Sequence, residues 1–297
     1  MTRTNQSSEE FINLRHIFKI NTLIVVLSFI AYFTHIGSIG RGNFNGVFNH
    51  SNALAPIAAL VCIEKVLQYF KDGKKIKHVL IALIAIFIVL LSGARSSLAA
   101  LVVCLMVIGF YIYRIKFVFF GTGILIIGII AFFTLKNFNS YLIPEEHLSN
   151  RYRSRTIFEK GLDNTRFLIW GERIDEFKAK PFLGSGFSAV NTKVIPEESA
   201  SYDIETGSIQ PGSGYLGVLS MLGVLGFSLF LYIVIYAISN LYENSKYYNN
   251  KDFLIIVSIL LFVLIHSFFE GYIISSGSIL FLIFWLSISY ILNKNAA

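Results

Sequence analysis

Charge is scarce in this chain. Of 297 residues only 14% are Asp, Glu, Lys or Arg, while 55% are apolar, and so few charges cannot coat a soluble globule of this size. Part of its solvent is therefore lipid. Cysteine is scarcer still: Cys62 and Cys104 both lie in apolar stretches without metal-ligand spacing, so they read as small hydrophobes. His50, His147 and His266 fall in no pattern such as HxxxH, which predicts neither a structural nor a catalytic metal. Despite a formal charge of +7, no soluble segment carries a Lys/Arg block interleaved with aromatics, which sets nucleic acid aside as a partner. Ser92, Ser96 and Ser97 lack the turn that exposes a hydrolase nucleophile. There is no repeat of fixed period, and neither half mirrors the other, which weighs against an inverted-repeat transporter. The first apolar stretch follows a polar lead of about 18 residues with no small-residue cleavage site, and is expected to stay as an anchor.

What the chain does have is long apolar runs. A helix needs about 20 such residues to cross a bilayer core, and candidate spans lie near 19–36, 53–70, 78–93, 96–113, 117–135, 214–239, 253–268 and 273–292. The fold class is thus all-α, a polytopic membrane protein of about eight transmembrane helices. Residues 1–18 form an amino-terminal tail, 19–135 carry the first five helices, 136–213 a large loop, 214–292 three more helices, and 293–297 a carboxy-terminal tail. The second span carries Glu64 and Lys65, which are costly in a membrane unless they lie near an interface or face protein.

Short loops rich in Lys and Arg tend to stay cytoplasmic. The stretch Lys71-Asp72-Gly73-Lys74-Lys75-Ile76-Lys77 is strongly basic, and Arg114, Lys116, Lys246, Lys251 and Lys294 fall on the same side. Both termini are then cytoplasmic. The alternate loops face out, and the short ones hold only Arg41 and Arg95. The 136–213 loop holds ten Lys/Arg and eleven Asp/Glu in 78 residues, and loops of that length are usually functional. Within it Asp163-Asn164-Thr165 can cap a helix running to about Lys180, where Pro181 and Gly184 end it. Phe167, Trp170, Ile174 and Phe177 recur at helical spacing, with Glu172, Arg173, Asp175 and Glu176 mostly off that stripe. Such a helix is expected to lie along the membrane surface.

Candidate chemistry gathers on the outer side. Arg95 sits where one span hands over to the next with almost no loop between them. It either grips an anion or snorkels to lipid phosphate. Arg151, Arg153, Arg155, Arg166 and Arg173 offer planar forks that suit phosphate oxygens; for Arg153, Arg155 and Arg173 pairing with the loop's own acids is the simpler role. Glu270, between two apolar spans, is either a base or an interfacial acid paired with an arginine. Gly214, Gly217, Gly223 and Gly226 fall in one span and permit close helix packing.

The order of these features resembles the O-antigen ligase and polysaccharide polymerase superfamily. Three stretches carry the likeness: Gly46 to Ala55 as a glycine–asparagine turn into a span, Ser92 to Ser97 as an arginine-bearing turn, and an ordered set in the carboxy-terminal half. That set runs Arg166…Trp170, then Pro181-Phe182-Leu183-Gly184-Ser185-Gly186-Phe187, then Tyr215 and Leu222-Gly223-Val224-Leu225-Gly226. The resemblance implies a glycosyltransferase of the cytoplasmic membrane, without metal or other cofactor, acting on its outer face. Donor and acceptor would be glycans linked to polyprenyl diphosphate, with a chain-length regulator and a flippase of the same pathway as candidate partners. By similarity Arg95 and Arg166 grip the donor diphosphate, and Glu270 completes the catalytic candidates. Arg41, Asn52, Arg151, Trp170, Gly184, Gly186 and Tyr215 are the substrate-binding ones. Ligases of the family present a His-Asn pair where this chain reads Pro211-Gly212-Ser213-Gly214-Tyr215, and the missing histidine points to polymerase. The alternatives are ligation of finished glycan to a lipid or protein acceptor, a polysaccharide or lipid transporter, and a non-catalytic partner in envelope assembly.

Overall fold

The structure is a computed structural model, and it describes residues 3–34, 38–40, 43–48, 50–71, 75–113, 165–187, 202–203, 208–209, 212–243, 245 and 250–294. Eight helices lie among these: α1 Arg3–Phe33, α2 Ser51–Lys71, α3 Ile76–Ser92, α4 Arg95–Tyr113, α5 Thr165–Ala179, α6 Gly214–Glu243, α7 Asn250–His266 and α8 Ile279–Lys294. Four stretches are long and apolar enough to cross a membrane: Leu14–Phe33, Ser51–Lys71, Arg95–Ile112 and Gly214–Glu243. Ile76–Ser92, Phe253–His266 and Ile279–Asn293 are shorter apolar helices. The expected span at 117–135 lies outside the described residues. The architecture is that of a polytopic helical membrane protein.

Helix α2 is the axis of the bundle. Every residue from Leu54 to Lys65 is buried, and the helix packs against α1, α3, α4 and α7. From Leu54 to Ile63 it is apolar on all sides, as a helix buried all round must be. Its one charged pair neutralises itself: Lys65 Nζ lies 3.0 Å from Glu64 Oε2 and donates to Gln68 Oε1 at 3.1 Å, while Gln68 Nε2 donates to Glu64 Oε1 at 2.6 Å. A buried charge is tolerated when it is paired and its remaining lone pairs are met. Cys62 and Cys104 are free and buried in the same core.

Short connections make neighbouring helices antiparallel. Gly93 ends α3 in the left-handed region, φ 65°, with its N–H on the Leu90 carbonyl, and α4 begins two residues later. The starts of α2, α4 and α6 and the ends of α3 and α7 are tied together at one end of the bundle by contacts set out below. The ends of α2 and the start of α3 lie at the other.

Three details depart from the sequence expectation. The last helix starts at Ile279 rather than near 273, because Ser278 caps it, accepting the Phe281 N–H at 3.0 Å. Residues 271–278 form turns instead. Two short antiparallel hairpins are present, β1 Ser38–Gly40 with β2 Asn43–Gly46 and β3 Tyr202–Asp203 with β4 Ser208–Ile209. The first packs onto α1, where Gly46 (φ 59°) leaves no room for a side chain beside Ser28. Finally, Gly223 does not merely permit packing: it breaks α6, with φ 64° and ψ −170°.

Candidate functional site

The turn that follows α7 is a hub. His266 is buried, its ring packed between Phe262 and Tyr272, and its Nε2 lies 3.1 Å from the Ser97 hydroxyl in the first turn of α4. The Ser267 carbonyl accepts the Gly214 N–H at 2.8 Å and the Ser213 hydroxyl at 3.3 Å. The Glu270 carbonyl accepts the same Gly214 N–H at 3.1 Å, and its carboxylate receives Asn52 Nδ2 at 3.5 Å. Gly214 permits this approach, since a Cβ there would meet Ile273. Tyr215 donates its hydroxyl to the Leu264 carbonyl at 2.8 Å and packs its ring on Phe268.

Three helix starts thus meet one turn. The first N–H groups of a helix carry partial positive charge and have no partners within the helix, which suits them to anions. Arg95 is the first residue of α4, with an exposed side chain, and the buried Ser96 and Ser97 follow it. At the start of α2, Pro56 has no N–H to give the Asn52 carbonyl. The structure therefore brings Asn52, Glu270, Tyr215 and the Arg95 turn, four stretches far apart in sequence, to one end of the bundle.

A second construction holds the start of α6. At Gly223 the helix opens, and the turn Pro181–Phe187 fills the gap with backbone. Ser185 N–H donates to Ser220 O at 3.0 Å and Gly186 N–H to Met221 O at 2.9 Å, while Val224 N–H donates to Pro181 O at 2.8 Å and Leu225 N–H to Phe182 O at 3.3 Å. In an unbroken helix Val224 and Leu225 would bond Ser220 and Met221 themselves. The turn has been spliced into that ladder, so the Ser220 and Met221 carbonyls keep partners in an apolar setting. Both glycines are required: a Cβ on Gly184 (φ 69°) would fall on the Met221 carbonyl, and one on Gly223 on the Phe182 carbonyl. Gly186 also has positive φ, 113°.

Helix α5, which leads into this turn, is anchored by Trp170, whose Nε1 donates to the Gly212 carbonyl at 3.1 Å. Its buried face is not the expected apolar stripe. Ile169, Arg173 and Glu176 are buried, whereas Ile174 is 39% exposed. Arg173 and Glu176 are fully buried at 3.0 Å from each other, one helical turn apart. Burial pushes the Arg173 guanidinium down from its ordinary value, and the carboxylates of Glu176 and Glu172 pull it back up. Pairing with an acid of its own loop was the role expected for Arg173. Burial of the pair was not, because hydrophobic periodicity gives no credit to charges that neutralise each other.

Arg166 lies in the first turn of α5, but its side chain, like Arg41 and Arg151, is outside the described residues. Sequence reasoning missed His266 as the link between α7 and α4; its only outward signal was a histidine one turn before Glu270. It also missed Ser97, Ser213 and Ser267, since serine in an apolar run is no marker by itself. Among the described residues no three His, Cys, Asp or Glu side chains gather where they could hold a metal ion.

No curated protein matches the chain. The family model described as O-antigen ligase matches residues 80–231, just over half of the chain. That range takes in the Arg95 turn, α5, the Pro181–Phe187 turn and the break at Gly223. The chain belongs to the O-antigen ligase family.

Proposed function

We propose that this protein polymerises glycan repeat units carried on polyprenyl diphosphate, at the outer face of the cytoplasmic membrane. The observation that carries the proposal is the meeting of the Arg95 turn, Asn52 and Glu270 at one end of an apolar bundle. Attack of an acceptor sugar hydroxyl on the donor's anomeric carbon forms the new glycosidic bond and breaks the bond to lipid diphosphate. The acceptor proton passes to the Glu270 carboxylate, and negative charge builds on the leaving diphosphate. Arg95, Arg166 and the helix starts beside them stabilise that charge more in the transition state than in the ground state. Asn52 steadies the Glu270 carboxylate. Helix α5 would lie along the membrane surface and shape the groove through which the lipid enters.

Polymerase is preferred to ligase because Pro211–Tyr215 lacks the His-Asn pair. One observation favours the ligase reading: His266 brings a histidine to the same cluster by another route. The products separate the two. Cells whose protein carries Arg95→Ala or Arg166→Ala, at normal membrane levels, are expected to accumulate single lipid-linked repeat units and to lack long polymer. Accumulation of unattached long chains would instead establish ligation, and full-length attached polymer in both variants would refute the mechanism.

A further inference from the structure

At the end of the bundle opposite the candidate site lies a cavity of about 390 Å³, walled by α1, α2, α3 and α7. That volume falls in the range of small-ligand sites, about 300–1,000 Å³. Its mouth is basic. Arg15, Lys19, Lys65, Lys71 and Lys77 line it against a single carboxylate, Glu64. That carboxylate already lies 3.0 Å from Lys65, so the wall carries an excess of four positive charges among the described residues. Its wall also holds an apolar side, Leu14, Phe18, Ile81 and Ile255, beside the polar Gln68 and the buried His78.

The level of the cavity is set by the helices. Leu14 and Arg15 begin the apolar stretch of α1, Lys71 ends α2, and Lys77 stands in the first turn of α3. Cations at the ends of three apolar helices lie where a bilayer places its phosphates. A surface of scattered snorkelling lysines needs no concavity and no apolar pocket behind it. Here both are present, and they match a molecule with an anionic head and a hydrocarbon tail.

We infer that this cavity binds the phosphate head of an anionic membrane phospholipid, with the start of an acyl chain along Phe18, Ile81 and Ile255. The site is remote from Arg95 and Glu270 and independent of the proposed chemistry. It makes the stability of the bundle respond to the lipid composition of the leaflet on the side away from the candidate site.

The test uses the purified full-length protein in a neutral detergent. Native mass spectrometry and thermal melting are measured with phosphatidylglycerol, phosphatidylcholine and inorganic phosphate as separate probes. Phosphatidylglycerol is expected to bind and to raise the melting temperature, and the other two to do neither. In the triple variant Arg15→Gln/Lys19→Gln/Lys77→Gln, whose side chains are exposed and whose loss spares the core, its affinity should fall about tenfold or more. Lys75→Gln changes an exposed lysine outside the cavity wall and should bind like wild type. The single variant Lys77→Gln, with an intermediate loss, covers the case in which the triple variant melts early. Equal binding of both phospholipids, or a Lys75→Gln loss matching the triple variant, would overturn the site. Protection by inorganic phosphate equal to that by phosphatidylglycerol would overturn the lipid assignment in favour of a soluble anion.

Discussion

Replacing Gly223 by alanine should detach the Pro181–Phe187 turn without unfolding the bundle. A non-glycine residue at φ 64° and ψ −170°, a conformation open essentially to glycine alone, costs on the order of 1–3 kcal/mol, and here the added methyl also falls on the Phe182 carbonyl. Helix α6 can escape both penalties by straightening, since Val224 and Leu225 can then donate to Ser220 and Met221. The turn cannot. It loses all four backbone hydrogen bonds that hold it, and each N–H or carbonyl left without a partner costs about 1–3 kcal/mol unless water reaches it. With solvent meeting part of that need, release of the turn becomes easier by roughly 2–4 kcal/mol, a factor of about 30 to 1,000 in its opening equilibrium. Hydrogen exchange followed by mass spectrometry reads this directly: peptides covering 181–187 should lose protection by that factor, while peptides in α2 should not. Gly171→Ala is the control, because a Cβ there meets nothing within 4 Å and alanine favours a helix by up to about 1 kcal/mol over glycine. If Gly223→Ala leaves the turn as protected as Gly171→Ala does, the spliced-ladder account is refuted.

Other outcomes follow from the same geometry. Glu176→Gln leaves the fully buried Arg173 guanidinium without its carboxylate and should destabilise the protein by about 3–5 kcal/mol in denaturant titrations. The double change Arg173→Met/Glu176→Leu should recover most of that loss, and a single variant as stable as wild type would contradict the pairing. Glu270→Gln should lower turnover by about 10²–10⁴-fold, as loss of a general base does, and Asn52→Leu by a smaller factor of about ten. The reverse order in a turnover assay would remove Glu270 from the chemistry. In a Cys62→Ala/Cys104→Ala background, Arg95→Cys should react with a membrane-impermeant thiol reagent on intact cells and Lys75→Cys only after permeabilisation. Labelling of Lys75→Cys alone on intact cells would invert the proposed orientation.

How far the sequence reached can be judged element by element. Helices α2, α3, α4, α6 and α7 lie within a few residues of the apolar runs that announced them, because run length and charged loops bound a membrane helix tightly. Residues 273–278 were misplaced because the apolar Ile273-Ile274 was joined to the run that starts at Ile279 across Ser275-Ser276-Gly277-Ser278, where the turns lie and Ser278 caps the helix. Gly223 was visible as a glycine but not as a break: the cause of its conformation, the 181–186 backbone, lies some forty residues away in sequence. At the site, Arg95 and Glu270 stood out as charges at the edges of apolar spans. His266 and Ser97 did not, for their meaning is the 3.1 Å between them. The buried Arg173–Glu176 pair was hidden by the premise that charged residues mark the wet face of a helix.

The central claim is that fixed positive charge at one end of the bundle receives the departing lipid diphosphate. Release of polyprenyl diphosphate from a lipid-linked glycan by the purified protein measures that step. Arg95→Ala should lower its rate constant about 10²–10³-fold at saturating donor, and Arg95→Lys, which keeps the charge but loses the planar fork, should recover only part of it. A rate constant for Arg95→Ala equal to that of wild type would contradict the account.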